Sequence, residues 1–89
     1  MKVVGFHEKL LAYYNEHYGE LSEDDVIDCR SMYDKSCHTR YTWLIAEKDG
    51  KTIQLDHRKS TDWSNTGEWF IVMEDSKITA KEEVNDFFG

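Results

Sequence analysis

The sequence predicts a single α+β domain, residues 1–89, in which an N-terminal helix and a short C-terminal helix pack on an antiparallel β-sheet of three or four strands. Three observations carry this expectation. Apolar residues near the N-terminus recur at helical spacing, the middle of the chain alternates with period two around an Asp-Gly turn, and the last residues return to helical spacing behind a capping motif. A chain of 89 residues holds one core only, because at this size folding buries about 60–65 % of the unfolded surface. It has no proline, no repeat and no low-complexity stretch, so nothing marks a linker.

From Val4 to Tyr18, the residues Phe6, Leu10, Tyr13, Tyr14 and His17 follow at intervals of three and four, the spacing of one helical face. Gly19 stands where a left-handed C-terminal cap is expected. The segment from Leu21 to Tyr33 fits neither period. Ser22 with Asp25 marks a helix start, while Val26, Ile27, Cys29, Met32 and Tyr33 do not settle on one face, so it reads as a short helical turn entering an edge strand.

Tyr41 to Glu47 and Lys51 to Arg58 flank Asp49-Gly50, the dipeptide suited to a type I′ turn. Pairing Lys48 with Lys51 sets Ala46 opposite Ile53, Leu44 opposite Leu55, Trp43 opposite Asp56 and Tyr41 opposite Arg58. Glu68 to Glu74 is apolar at every position from Trp69 to Met73, which places it inside the sheet with both sides covered. The loop before it, from Lys59 to Gly67, is polar. Thr79-Ala80-Lys81-Glu82 has the form of a capping box, and Ala80, Val84, Phe87 and Phe88 then share a helical face, which gives the C-terminal helix.

Alternation divides the sheet into two faces. Leu44, Ala46, Ile53, Leu55 and His57, joined by Trp69, Ile71 and Met73, make the face that two helices cover. Tyr41, Trp43, Ile45, Gln54, Asp56 and Arg58, beside Phe70 and Val72, make the other, which is left open or covered by the segment around residues 21–33. An aromatic sheet face edged by Asp56 and Arg58 has the composition of a protein contact; the competing reading is aromatic pairing for stability alone.

The charge balance limits the partners. With 18 acidic and 11 basic residues the net charge is −7 and the isoelectric point about 4.9, so phosphate backbones and anionic lipid repel the chain. Direct binding of nucleic acid or membrane is not expected, and the expected partner is a protein with a basic surface. Met1 to His7 lacks the long apolar run of an export signal and no stretch is long enough to cross a bilayer, so a cytoplasmic location is expected. Cys29 and Cys37 are then expected as two reduced thiols.

Chemistry has little foothold. His7, His17, His38 and His57 do not stand at metal-ligand spacing, Asp24, Asp25 and Asp28 lack the order of a calcium loop, and the glycines are too scattered to cradle a phosphate. Asp56 and His57 point to opposite faces and cannot orient one another. No catalytic residue, metal or cofactor is assigned. The expected function is a small acidic, non-enzymatic interaction module of inhibitor or adaptor type, which binds through Tyr41, Trp43, Asp56 and Arg58 with help from Glu23, Asp24, Asp25 and Asp28. The alternatives are an acidic mimic of nucleic acid that blocks a DNA- or RNA-handling protein, a small enzyme or metal-binding domain built on Cys37 and His38, and a homodimer that pairs the open face with itself. Trp63, in the polar loop, either anchors a ligand or folds back on the sheet, and the second is the commoner behaviour of tryptophan.

Overall fold

The computed structural model describes all 89 residues. Helix α1 (Phe6–His17) leads through a 3-10 turn (Glu23–Asp25) into β1 (Val26–Asp34), β2 (Thr39–Lys48), β3 (Lys51–Ser60), β4 (Gly67–Glu74) and β5 (Lys77–Glu83). The strands form one antiparallel meander in chain order. No helix is long and apolar enough to cross a membrane.

The β2–β3 hairpin turns at Asp49 (φ 54°) and Gly50 (φ 78°), and its register is the one the Asp-Gly dipeptide implies, from Lys48 opposite Lys51 to Tyr41 opposite Arg58. Ser22 accepts a hydrogen bond from Asp24 N, and Asp25 Oδ2 accepts one from Ser22 N, which stops the chain in a single turn before β1. Gly19 is not left-handed. A Cβ there would lie 3.0 Å from the Tyr14 hydroxyl, so the glycine makes room for that ring.

The C-terminal helix expected from Thr79-Ala80-Lys81-Glu82 is absent, and the sheet has five strands instead of three or four. The cause lies just upstream. Asp75 (φ 47°) and Ser76 (φ 69°) form a two-residue turn of the Asp49-Gly50 kind without a glycine, and Asp75 Oδ1 accepts the Thr52 N–H at 3.1 Å. Reversed there, residues 77–83 must pair with β4. Thr79 becomes the extra residue of a bulge, between Ile78 opposite Met73 and Ala80 opposite Val72.

The orientation of β4 also differs from the expected one. Phe70 lies opposite His57 and Val72 opposite Leu55, so these two enter the helix-covered side, while Trp69, Ile71 and Met73 face the other way. Alternation defines two sets of residues but does not say which set is inside, and a one-residue offset across the loop at residues 61–66 exchanges them.

One helix covers one face. Leu10, Leu11 and Tyr14 of α1 pack on Leu44, Ala46, Ile53, Leu55, Phe70 and Val72, with Val3, Leu21, Val26 and Phe87 closing the margins. The C-terminal tail, residues 84–89, supplies the cover expected of a second helix: Phe87 stacks on Phe70 at 5.7 Å between ring centroids, and Phe88 on Phe6 at 4.4 Å.

Two carboxylates fasten these covers to the sheet. Glu82 accepts hydrogen bonds from the Tyr13 and Tyr18 hydroxyls. Those bonds hold its own carboxyl below the usual value; the bond to Glu82 and burial push Tyr13 up to about 12, and burial and the same carboxylate push Tyr18 to about 12. Glu68 accepts the His57 Nε2–H at 2.7 Å and the Asp86 and Phe87 N–H groups at 3.0 Å each. Burial raises the Glu68 carboxyl, but the His57 and backbone hydrogen bonds outweigh it and leave the carboxyl below its ordinary value.

Glu68→Ala should therefore lower stability by about 2–4 kcal/mol, since it strands His57 and two tail amides, and equilibrium urea unfolding measures this directly. The pH dependence follows from the lowered carboxyl. Its stabilisation is complete above the ordinary glutamate value of 4.5 and is lost as pH falls through the folded-state value. Below pH 4.5 the wild-type urea midpoint should fall more steeply than that of Glu68→Gln.

Candidate functional site

The strands leave a second face that α1 and the tail do not reach. Cross-strand pairing orders its side chains into rows. One row runs Met32, Tyr41, Arg58, Trp69, Glu83, and the next runs Arg30, Trp43, Asp56, Ile71, Lys81. A third holds Asp28, Ile45, Gln54, Met73 and Ile78. Of the expected site residues, Tyr41, Trp43, Asp56, Arg58 and Asp28 thus share one surface.

Asp56 sits at the centre of the grid, on the middle strand. It is only 3 % exposed although no element covers it, because the surrounding side chains close over it. Its Oδ2 accepts a hydrogen bond from Arg58 Nε at 3.1 Å and lies 3.0 Å from Arg58 Nη2 in an ion pair, while Oδ1 is buried without a hydrogen-bond partner. Burial pushes the carboxyl above its ordinary value, and Arg58 brings it only part of the way back. Arg58 also lies over the Tyr41 ring, 5.6 Å from its centroid. The guanidinium is thereby held by a buried acid and by an aromatic ring.

The remaining acids expected to assist have local partners. Glu23 Oε2 accepts the Val3 N–H at 2.7 Å, Asp25 closes the capping box with Ser22, and Asp28 Oδ2 accepts from Arg30 Nε at 3.1 Å. Asp24 alone among them makes no side-chain hydrogen bond or ion pair, and contributes its main-chain N–H to Ser22. The acidic residues towards the C-terminus are likewise divided: Glu82 takes the two tyrosines, Asp75 holds its turn, and Glu83 lies on the rim of the open face.

No protein-family model, curated protein or solved structure matches the chain.

Cys37 and His38 lie in the turn between β1 and β2, where His38 adopts φ 49° and its carbonyl accepts the Thr61 N–H at 3.0 Å. Both cysteines are free thiols. No three His, Cys, Asp or Glu side chains converge on a point where a metal ion would be held. His57 lies on the covered side, 1 % exposed, with Phe87 and Phe88 against its ring. Its partner Glu68 is separated from it by a loop and by the register of β4, and no local spacing announces the pair.

Four residues of the open face are placed elsewhere by sequence reasoning. Trp69, Ile71 and Met73 are misassigned by the inverted β4 face, and Lys81 by the expected helix. Trp69 has one local signal, Gly67 two positions before it on the same side of the strand. A Cβ at Gly67 would come within 2.5 Å of the Trp69 ring, so the ring lies down across the glycine. Trp63 does not fold back on the sheet but stands 93 % exposed at the tip of the loop. Asp62 holds that tip in shape: its Oδ1 accepts from Ser64 N and Oγ, and its carbonyl from Asn65 N and Thr66 Oγ1.

A buried carboxylate whose ionisation is disfavoured costs stability as pH rises through its elevated value. Asp56→Asn keeps an acceptor for Arg58 and removes the charge. At pH 7 this variant should unfold at the same or a higher urea concentration than wild type, with any advantage shrinking towards pH 3. A clear loss of stability at pH 7 would make the carboxylate a net structural support.

Proposed function

We propose that the protein is a non-enzymatic interaction module of inhibitor or adaptor type, which docks a protein partner on the open face of its sheet. The observation that carries the reading is the buried, half-satisfied Asp56 at the centre of an uncovered aromatic grid. A fold selected for stability alone has no use for an ionisable group there, whereas binding surfaces commonly keep such groups at a cost in stability. Tyr41, Trp43 and Trp69 supply large rigid contact area, and Arg58 is already oriented, so little side-chain entropy remains to be lost on docking. Trp63 extends the surface beyond the strands as an exposed anchor.

Asp34, Glu47 and Glu83 lie towards the margins of this face without an ion pair, and with the net charge of −7 they favour a partner whose contact surface is basic at its rim. The local engagement of Glu23, Asp25, Asp28, Glu82 and Asp75 weighs against a nucleic-acid mimic, which needs a row of unpaired charges.

Capture from a cell extract at low and moderate salt tests the reading. Trp43→Ala and Trp63→Ala should each weaken retention of a specific partner roughly thirtyfold, the loss of about 2 kcal/mol typical of an anchor, with the urea midpoint of Trp63→Ala unchanged. Sedimentation of the free protein runs alongside. Retention indifferent to both substitutions would sink the proposal, and a dimer abolished by Trp43→Ala would make a second copy the occupant.

A further inference from the structure

The geometry points to a carboxylate-binding cleft at the loop end of the open face, into which the partner places an acidic side chain. This rests on the open face being the docking surface, and names the group that the partner brings to it. The cleft has a volume of about 180 Å³ and is lined by Tyr41, Arg58, Ser60, Asn65, Trp69 and Lys81, among others.

Its chemistry is opposite to that of the whole protein. In a chain of net charge −7, two cations border this one cleft. Lys81 has no carboxylate within ion-pair distance; its ammonium lies 5.7 Å from the centroid of the Trp69 ring. Glu83, two residues along β5 and opposite Trp69, makes no ion pair with it. Arg58 gives Nε to Asp56 and holds Nη2 3.0 Å from the same carboxylate, which leaves the hydrogens of Nη1 for another acceptor.

The neutral groups are donors as well. Ser60 is 4 % exposed, and its Oγ accepts the Asp62 N–H at 3.3 Å, so its own proton remains to be given. The Asn65 amide has no partner in the protein; the bond from that residue is made by its main chain, to Asp62. A guanidinium edge, an ammonium, a hydroxyl and an amide bordering one cleft, with Tyr41 and Trp69 as apolar walls, suit an oxyanion carried on a short apolar stem. A glutamate or aspartate side chain has that form. An isolated phosphate lacks the stem that the two rings would pack against.

Assigned nitrogen-resolved spectra of the purified protein test this without the partner. N-acetyl-glutamic acid amide, whose single charge is its side-chain carboxylate, should shift the Trp69 indole and Asn65 amide signals saturably, while N-acetyl-glutamine amide should not. Lys81→Ala should weaken the response roughly fivefold, as expected for removal of one exposed charge-assisted contact of about 1 kcal/mol. No saturable shift, an equal response to the glutamine compound, or a response to inorganic phosphate without one to the carboxylate would each overturn the assignment. Failure here with Trp43-dependent capture intact removes the cleft alone; carboxylate binding without such capture removes the docking surface.

Discussion

A helix of twelve residues is about 18 Å long and 10 Å across, while five strands spaced by about 4.8 Å make a sheet some 20 Å wide with a face on each side. The single helix of this protein can therefore protect one face at most, and even there it needs the N-terminal residues and the C-terminal tail to finish the cover. Every other feature follows from that shortage of covering material. Hydrophobic residues concentrate where the helix lies. The opposite face must reach an accommodation with water through side chains that screen one another, which is how Ile71 and Asp56 come to be buried on a surface that no element touches.

The covered side is closed by polar groups as much as by apolar ones. Glu68 joins His57 of β3 to two main-chain amides of the tail, and Glu82 binds the hydroxyls of Tyr13 in α1 and of Tyr18 just after it. Each carboxylate has enough donors to replace its lost hydration, so burial here specifies where the tail and the helix end must sit. Part of the large acidic excess is thus spent on the architecture. The acids on the margins of the open face that make no ion pair, Asp34, Glu47 and Glu83, are the part left for solubility and for a partner.

Asp56 and His57 show how one strand serves both sides. They are neighbours in sequence, point in opposite directions, and carry the two buried side-chain polar atoms that lack a partner, Oδ1 and Nδ1. His57 keeps its Nε2 bonded to Glu68 at 2.7 Å. Asp56 can escape its cost only by taking up a proton or a further donor, and its position at the middle of the aromatic grid makes it the natural centre of a contact. The cleft bordered by Arg58 and Lys81 lies one step towards the loops, so the same arginine links the two.

The sequence by itself determined the local features whose causes are local. The spacing of Leu10, Tyr13 and Tyr14 made the helix, Asp49-Gly50 fixed a hairpin and its register residue by residue, and Ser22 with Asp25 stopped a turn at the start of β1. The grouping of Tyr41, Trp43, Asp56 and Arg58 on one face followed from that register alone. The tertiary structure decided what depends on pairings between distant segments. The face of β4 turned on a single-residue offset across a loop, the fate of residues 77–83 turned on an Asp75-Ser76 reversal that no glycine announces, and Trp69 and Lys81 entered the site only through those two outcomes. A capping box and a strand can be written with the same residues; Glu82 became part of a strand because β4 offered a free edge and two tyrosine hydroxyls lay within its reach.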